Sequence, residues 1–135
     1  MRNNAYDYLR RPLRIFKALS DETRLRILGV LLVRECCVCE VMQALEISQT
    51  RASRNLGILL DAGLLKQRRD GRWTLYRIDR EGLEERLPGL LSAMAAVLEE
   101  QETVVADRRR LEKSARVGPG CVNRLSDLQR LRRSR

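Results

Sequence analysis

With 135 residues, the chain is long enough for one domain with a hydrophobic core and too short for two of ordinary size. Its 27 Lys and Arg against 18 Asp and Glu leave a net charge of +9, which favours a polyanionic partner, nucleic acid first and an anionic membrane surface second. Histidine is absent, which excludes His-based acid–base chemistry, Ser-His and Cys-His nucleophile pairs and imidazole metal ligands, so neither an enzyme nor a catalytic cofactor is expected.

No run approaches the roughly 18 to 20 apolar residues of a membrane span, and the opening MRNNAYDYLRRP lacks the apolar stretch of a signal peptide. A cytoplasmic protein without a membrane partner is expected. Three of the four cysteines lie within Glu35-Cys36-Cys37-Val38-Cys39, too close together to bridge easily, and in a reducing compartment they read as thiols.

In chain order, Pro12 can open a first helix, which Leu13, Phe16 and Leu19 continue at helical spacing. Ser20 or Asp21 caps a second, whose Leu25, Ile27, Leu28, Val30, Leu31 and Leu32 cover most of the circumference and predict a central core helix. Val38, Val41, Met42 and Leu45 form the stripe of a short third helix. Ser48 caps a fourth that ends at Gly63, with Ala52, Leu56, Leu59 and Leu60 facing inward. Gln49, Thr50, Arg51, Ser53, Arg54 and Asn55 are left for its outer and N-terminal surface. From Leu64 two short strands follow, joined at Asp70-Gly71. Past Glu81 comes a short helix interrupted near Pro88-Gly89. One long closing helix then carries Leu90, Leu91, Met94, Val97 and Leu98. Residues 1–116 read as one domain and 117–135 as a basic tail that holds Cys121.

Three helices, a tight turn at Glu46-Ile47, a capped polar helix, a basic hairpin and a closing helix make a mainly α fold of winged helix-turn-helix order. Arg51 and Arg54 at the start of the fourth helix can reach phosphates or guanine edges, and Gln49, Thr50 and Ser53 suit base-edge or phosphate hydrogen bonds. Arg69 and Arg72 flank the hairpin tip, in reach of phosphate or a minor groove. Residues 48–80 hold eight Lys or Arg against three Asp or Glu, so positive charge is concentrated on this stretch. On an isolated helix, Arg51 and Arg54 would sooner describe the solvated face of an amphipathic helix; the turn and hairpin around them reverse that reading and point to double-stranded DNA. Trp73 and Tyr76 read as packing residues of the strands.

The segments IFKALSDETRLRIL, ECCVCEV, SQTRASRNL, LLDAGLL and RRDGRWTLYRI together resemble the ArsR-SmtB family of metal-responsive repressors, over roughly Leu13 to Asp79. The resemblance implies a homodimer built on the first and last helices and a palindromic operator. Within it, ECCVCEV resembles the arsenic-branch motif ELCVCDLC: Cys37 and Cys39 fall on its first two cysteines, Met42 on its third, and Cys36 on its leucine. The implied inducer is As(III) or Sb(III), soft centres that take thiolates. Cys36, Cys37 and Cys39 can supply three sulfurs locally, or Cys121 can join from the tail; Zn, Cd and Pb are the alternative ions. Because residues i and i+2 of a helix point to nearly opposite sides, capture by Cys37 and Cys39 is expected to deform the start of the third helix. A thiol redox sensor of the same fold and a constitutive architectural DNA binder are the rival readings. A Cys-based oxidoreductase lacks its C-x-x-C.

Overall fold

The computed structural model describes residues 5–117, with side chains from residue 9 onward. Seven helices and one hairpin follow in order among them: α1 (Ala5–Leu19), α2 (Glu22–Leu31), α3 (Val38–Leu45), α4 (Gln49–Asp61), β1 (Leu65–Asp70), β2 (Trp73–Ile78), α5 (Arg80–Arg86), α6 (Leu90–Glu99) and α7 (Glu102–Glu112). The expected mainly α winged helix-turn-helix arrangement is present. None of these helices is long and apolar enough to cross a membrane.

The boundaries of α2, α3 and α4 have local causes. Asp21 is extended, and its carboxylate accepts from the Arg24 N–H at 3.0 Å, capping α2. Ile27, Leu28, Val30 and Leu31 of that helix are buried and form the middle of the core with α3 and α4. At the end of α3, Glu46 takes the left-handed conformation (φ 57°, ψ 47°), and the Ile47 N–H donates back to the Met42 carbonyl at 3.2 Å. That reverses the chain within a few residues. Ser48 then caps α4 by accepting from the Arg51 N–H at 3.2 Å. The far end of α4 closes with Gly63 at φ +86° and paired bonds, Gly63 N–H to the Leu60 carbonyl and Leu64 N–H to the Leu59 carbonyl. Glycine suits this left-handed closing residue.

Three expectations need correction. The helix α1 begins at Ala5 and contains Pro12, where Pro12 was expected to open it; proline's fixed φ is itself helical, so the ring forfeits one backbone hydrogen bond rather than the helix. In the hairpin, Asp70 pairs with Trp73, so the loop residues are Gly71 and Arg72 instead of Asp70 and Gly71. Gly71 has φ +61° and Arg72 does not enter the positive region, the Gly-X pattern of a II′ turn. The single closing helix is two: α6 stops at Glu99, Gln101 is extended (φ −80°, ψ 125°), and α7 starts afresh. The break lets Val104, Asp107 and Leu111 turn inward onto α2 and α3. At Gly29 a Cβ would fall 2.8 Å from Val104 Cγ1, so the close approach of α7 to α2 depends on a residue without a side chain.

Candidate nucleic-acid interface and thiol pair

The N-terminal turns of α4 present the expected polar set. Thr50, Arg51 and Arg54 are exposed, Gln49 and Ser53 are half-buried, and Gln49 Nε2 donates to Ser53 Oγ at 3.4 Å. Arg51 is tethered: its Nη2 donates to Thr23 Oγ1 of α2 at 2.8 Å. Asn55, expected on the outer surface, is instead buried, because it serves as a strut. Its Oδ1 accepts from Arg24 Nη1 at 3.1 Å, its Nδ2 donates to the Arg51 carbonyl at 2.9 Å, and Arg24 Nε donates to the Ala18 carbonyl at 2.6 Å. This chain of bonds fixes the polar helix on α1 and α2, so its outer residues project from a rigid base.

On the hairpin, residues 66–72 are exposed, including Arg69 and Arg72. Arg72, in the loop itself, holds its guanidinium 5.9 Å from the Trp73 ring centroid, a cation–π contact. Arg68 is engaged with Glu35, and that hydrogen bond, ahead of the opposing effect of burial, holds the Glu35 carboxyl below its ordinary range.

The cysteines sort into two environments. Cys37 is the N-cap of α3, extended at φ −89° and ψ 173°, and Cys39 lies in the first turn. Their Sγ atoms are 3.1 Å apart, and both residues are fully buried with Leu75 under Val38, Trp73 and Val117. The expectation that the two must deform a helix to converge is therefore corrected: Cys37 precedes the helix, so the i and i+2 rule does not govern the pair. Cys36 faces the main core. Its backbone is bonded twice to Tyr76 of β2, N–H to carbonyl at 3.0 Å and carbonyl to N–H at 2.8 Å. Burial pushes its thiol up to about 12. Met42 is also buried in the main core. Among the described residues no three Cys, Asp or Glu side chains converge as a metal site. Cys121 lies outside the described residues.

A roof over the pair escaped the sequence reading altogether. Leaving α7, Ala115 is held by Gln43, whose Nε2 donates to the Ala115 carbonyl at 2.6 Å and whose Oε1 accepts its N–H at 3.2 Å. Cys39 Sγ lies 3.8 Å from the same carbonyl. Arg116 meets Glu40 at 3.2 Å, Asp70 at 3.8 Å and the Trp73 ring at 5.9 Å. Glu40 also accepts the Cys37 N–H at 2.9 Å and pairs with Arg34 at 2.7 Å. Burial raises its carboxyl, but these donors outweigh burial and hold it below its ordinary value. Beneath, fully buried Asp107 takes Arg26 at 2.9 and 2.8 Å and Arg110 at 2.7 Å, locking α7 to α2. Ala115 lies 72 residues from Gln43 and Arg26 lies 81 from Asp107, so no local spacing announces these two contacts.

Residues 21–67, spanning α2 to the start of β1, match the family model described as bacterial regulatory protein, arsR family. The chain is 48% identical over 69 residues to an arsenic resistance transcriptional regulator of Pseudomonas putida, covering 50% of this chain and only 53% of that protein. It is 38% identical over 87 residues to the arsenical resistance operon repressor of Bacillus subtilis, covering 64% of this chain and 79% of the relative. In structure it is similar to the homodimeric winged helix-turn-helix DNA-binding domain of a possible ArsR-family transcriptional regulator from Mycobacterium bovis, with a TM-score of 0.61 and 30% identity over 76% of this chain and 94% of that one. From its helical frame, its hairpin and these likenesses, the chain belongs to the arsR family of bacterial regulatory proteins.

Proposed function

We propose that this chain is a transcriptional repressor that binds double-stranded operator DNA as a homodimer and is released when As(III) or Sb(III) is captured by Cys37 and Cys39. The observation that carries the reading is the 3.1 Å approach of two buried thiols at the start of α3, the helix directly before the polar helix α4. Soft trivalent centres take thiolates readily. The arsenic-resistance names of two similar proteins support that inducer. Gln49, Thr50, Arg51, Ser53 and Arg54 enter the major groove, with Arg69 and Arg72 on the flanking backbone or minor groove. The dimer forms through apolar residues that one chain leaves in water: Leu9, Leu13 and Phe16 on α1 and Val97 on α6 are 49–65% exposed. Two routes connect the thiol pair to the reading surface, along α3 to the Glu46 turn into α4 and through the Cys36–Tyr76 bridge into the hairpin. A typical coupling of this kind is about 1 to 3 kcal/mol.

The test is fluorescence anisotropy of labelled operator DNA titrated with arsenite under reducing conditions. Arsenite is expected to release wild-type protein and to leave the Cys37→Ser, Cys39→Ser double variant bound. Unchanged wild-type affinity overturns the reading. The same thiol proximity favours a second reading, redox sensing, which release by oxidant without arsenite would select.

A further inference from the structure

Two exposed arginines near the reading surface are held by other side chains, in different ways. Arg68 of the hairpin is paired with the Glu35 carboxylate, which offsets its charge. Arg51 is held by a neutral group, its Nη2 donating to Thr23 Oγ1 at 2.8 Å. A hydroxyl leaves the guanidinium its full positive charge, and the fork keeps N–H donors for a further partner. The contact with Thr23 therefore presents Arg51, whereas the contact with Glu35 occupies Arg68.

The anchor is stiff. Thr23 lies in the first turn of α2, just after its Asp21 cap, and is only 8% exposed. Its β-branched side chain has few rotamers. The backbone of Arg51 is tied to the same stretch of α2: its carbonyl accepts from Asn55 Nδ2 at 2.9 Å, and Asn55 Oδ1 accepts from Arg24 Nη1 at 3.1 Å. Thr23 and Arg24 thus fix both ends of one exposed arginine. A long side chain that must give up its rotamers on docking weakens affinity by about three- to tenfold, and Arg51 has given up much of that freedom before DNA arrives. An oriented guanidinium fork matches the O6 and N7 acceptors of guanine in the major groove. We infer that Thr23 is a positioning residue for sequence recognition, holding Arg51 so that its fork meets a guanine edge. The inference rests on the DNA-binding reading proposed above and is independent of the inducer.

The test incubates the full chain, reduced and at fixed salt, with a pool of duplexes of random central sequence and sequences the bound fraction. Wild type is expected to enrich guanine at one position of each half-site. That preference should disappear in Arg51→Ala, relax in Thr23→Val, which keeps the shape without the hydroxyl, and return in Thr23→Ser. On the enriched duplex, anisotropy should show Thr23→Val about three- to tenfold weaker than wild type, with no further loss when it is added to Arg51→Ala. A purely structural effect of Thr23 would persist in the Arg51→Ala background, and its persistence overturns the inference. Equal or tighter binding by Thr23→Val overturns it too, as does a guanine preference unchanged in Thr23→Val or Arg51→Ala, or one that Thr23→Ser fails to restore; each leaves the DNA reading standing. Enrichment of no sequence by wild type overturns both.

Discussion

Arg54 and Arg69 stand in water, whereas Cys37 and Cys39, fewer than twenty residues before Arg54, have no exposed surface. The two regions answer to different physical demands. A surface that meets DNA works through charge acting over about 10 Å in salt solution and must be open. In the proposed function a thiol trap must be shut until its ligand arrives, and burial keeps its sulfurs away from solutes in water. One region therefore depends on what its side chains are, the other on what covers them. They meet along α3, whose start holds the thiols and whose end turns into α4.

Substitutions can pull the regions apart or bring both down together. The largest effect is expected for Asp107→Ala, which strips the buried carboxylate from Arg26 and Arg110 and should cost about 3 kcal/mol of folding stability in urea unfolding. That loss strikes both regions, since α7 carries the roof of the trap and braces the helices beneath the reader. Next, Arg51→Ala with Arg54→Ala should weaken operator binding by about 1 to 3 kcal/mol per contact, read by anisotropy at fixed salt, with arsenite binding retained. Equal loss of both activities would break the separation of reader and trap. Gln43→Ala removes the two bonds to Ala115 and should cost about 1 kcal/mol of stability, with faster alkylation of Cys39 seen by peptide mass spectrometry. An unchanged alkylation rate would show that the roof does not guard the pair. The smallest effect is expected for Glu35→Gln, which frees Arg68 at the surface: below about 1 kcal/mol in stability, with operator affinity unchanged or slightly increased.

The reader was largely legible in the sequence because its signals are local. Asp21 and Ser48 cap the helices they precede, Gly63 closes α4, and the apolar stripe of α4 leaves its N-terminal polar residues outside. Asn55 is the exception, since its burial depends on Arg24, which lies 31 residues away. The trap was half legible. The family resemblance pointed to Cys37 and Cys39, but their convergence depends on where α3 begins, and a one-residue difference there turns a helical pair into a cap and a first-turn residue. The break between α6 and α7 carries no proline or glycine; it is imposed by the packing of Val104 at Gly29 and of Asp107 with Arg26. Tertiary contacts of that kind override local propensity.

Trp73 sits where the two regions touch. It is the chain's one tryptophan, it packs against the thiol cluster, and its buried indole N–H has no hydrogen-bond partner among the described residues. One guanidinium from each side lies 5.9 Å from its ring, Arg72 of the hairpin loop and Arg116 of the roof. Indole emission responds to nearby charge and polarity, so DNA drawing on Arg72 and a heavy atom displacing Arg116 should each leave a separate spectral mark. The protein thus contains an optical probe of its own, able to tell without any attached label whether the trap or the reader moves first.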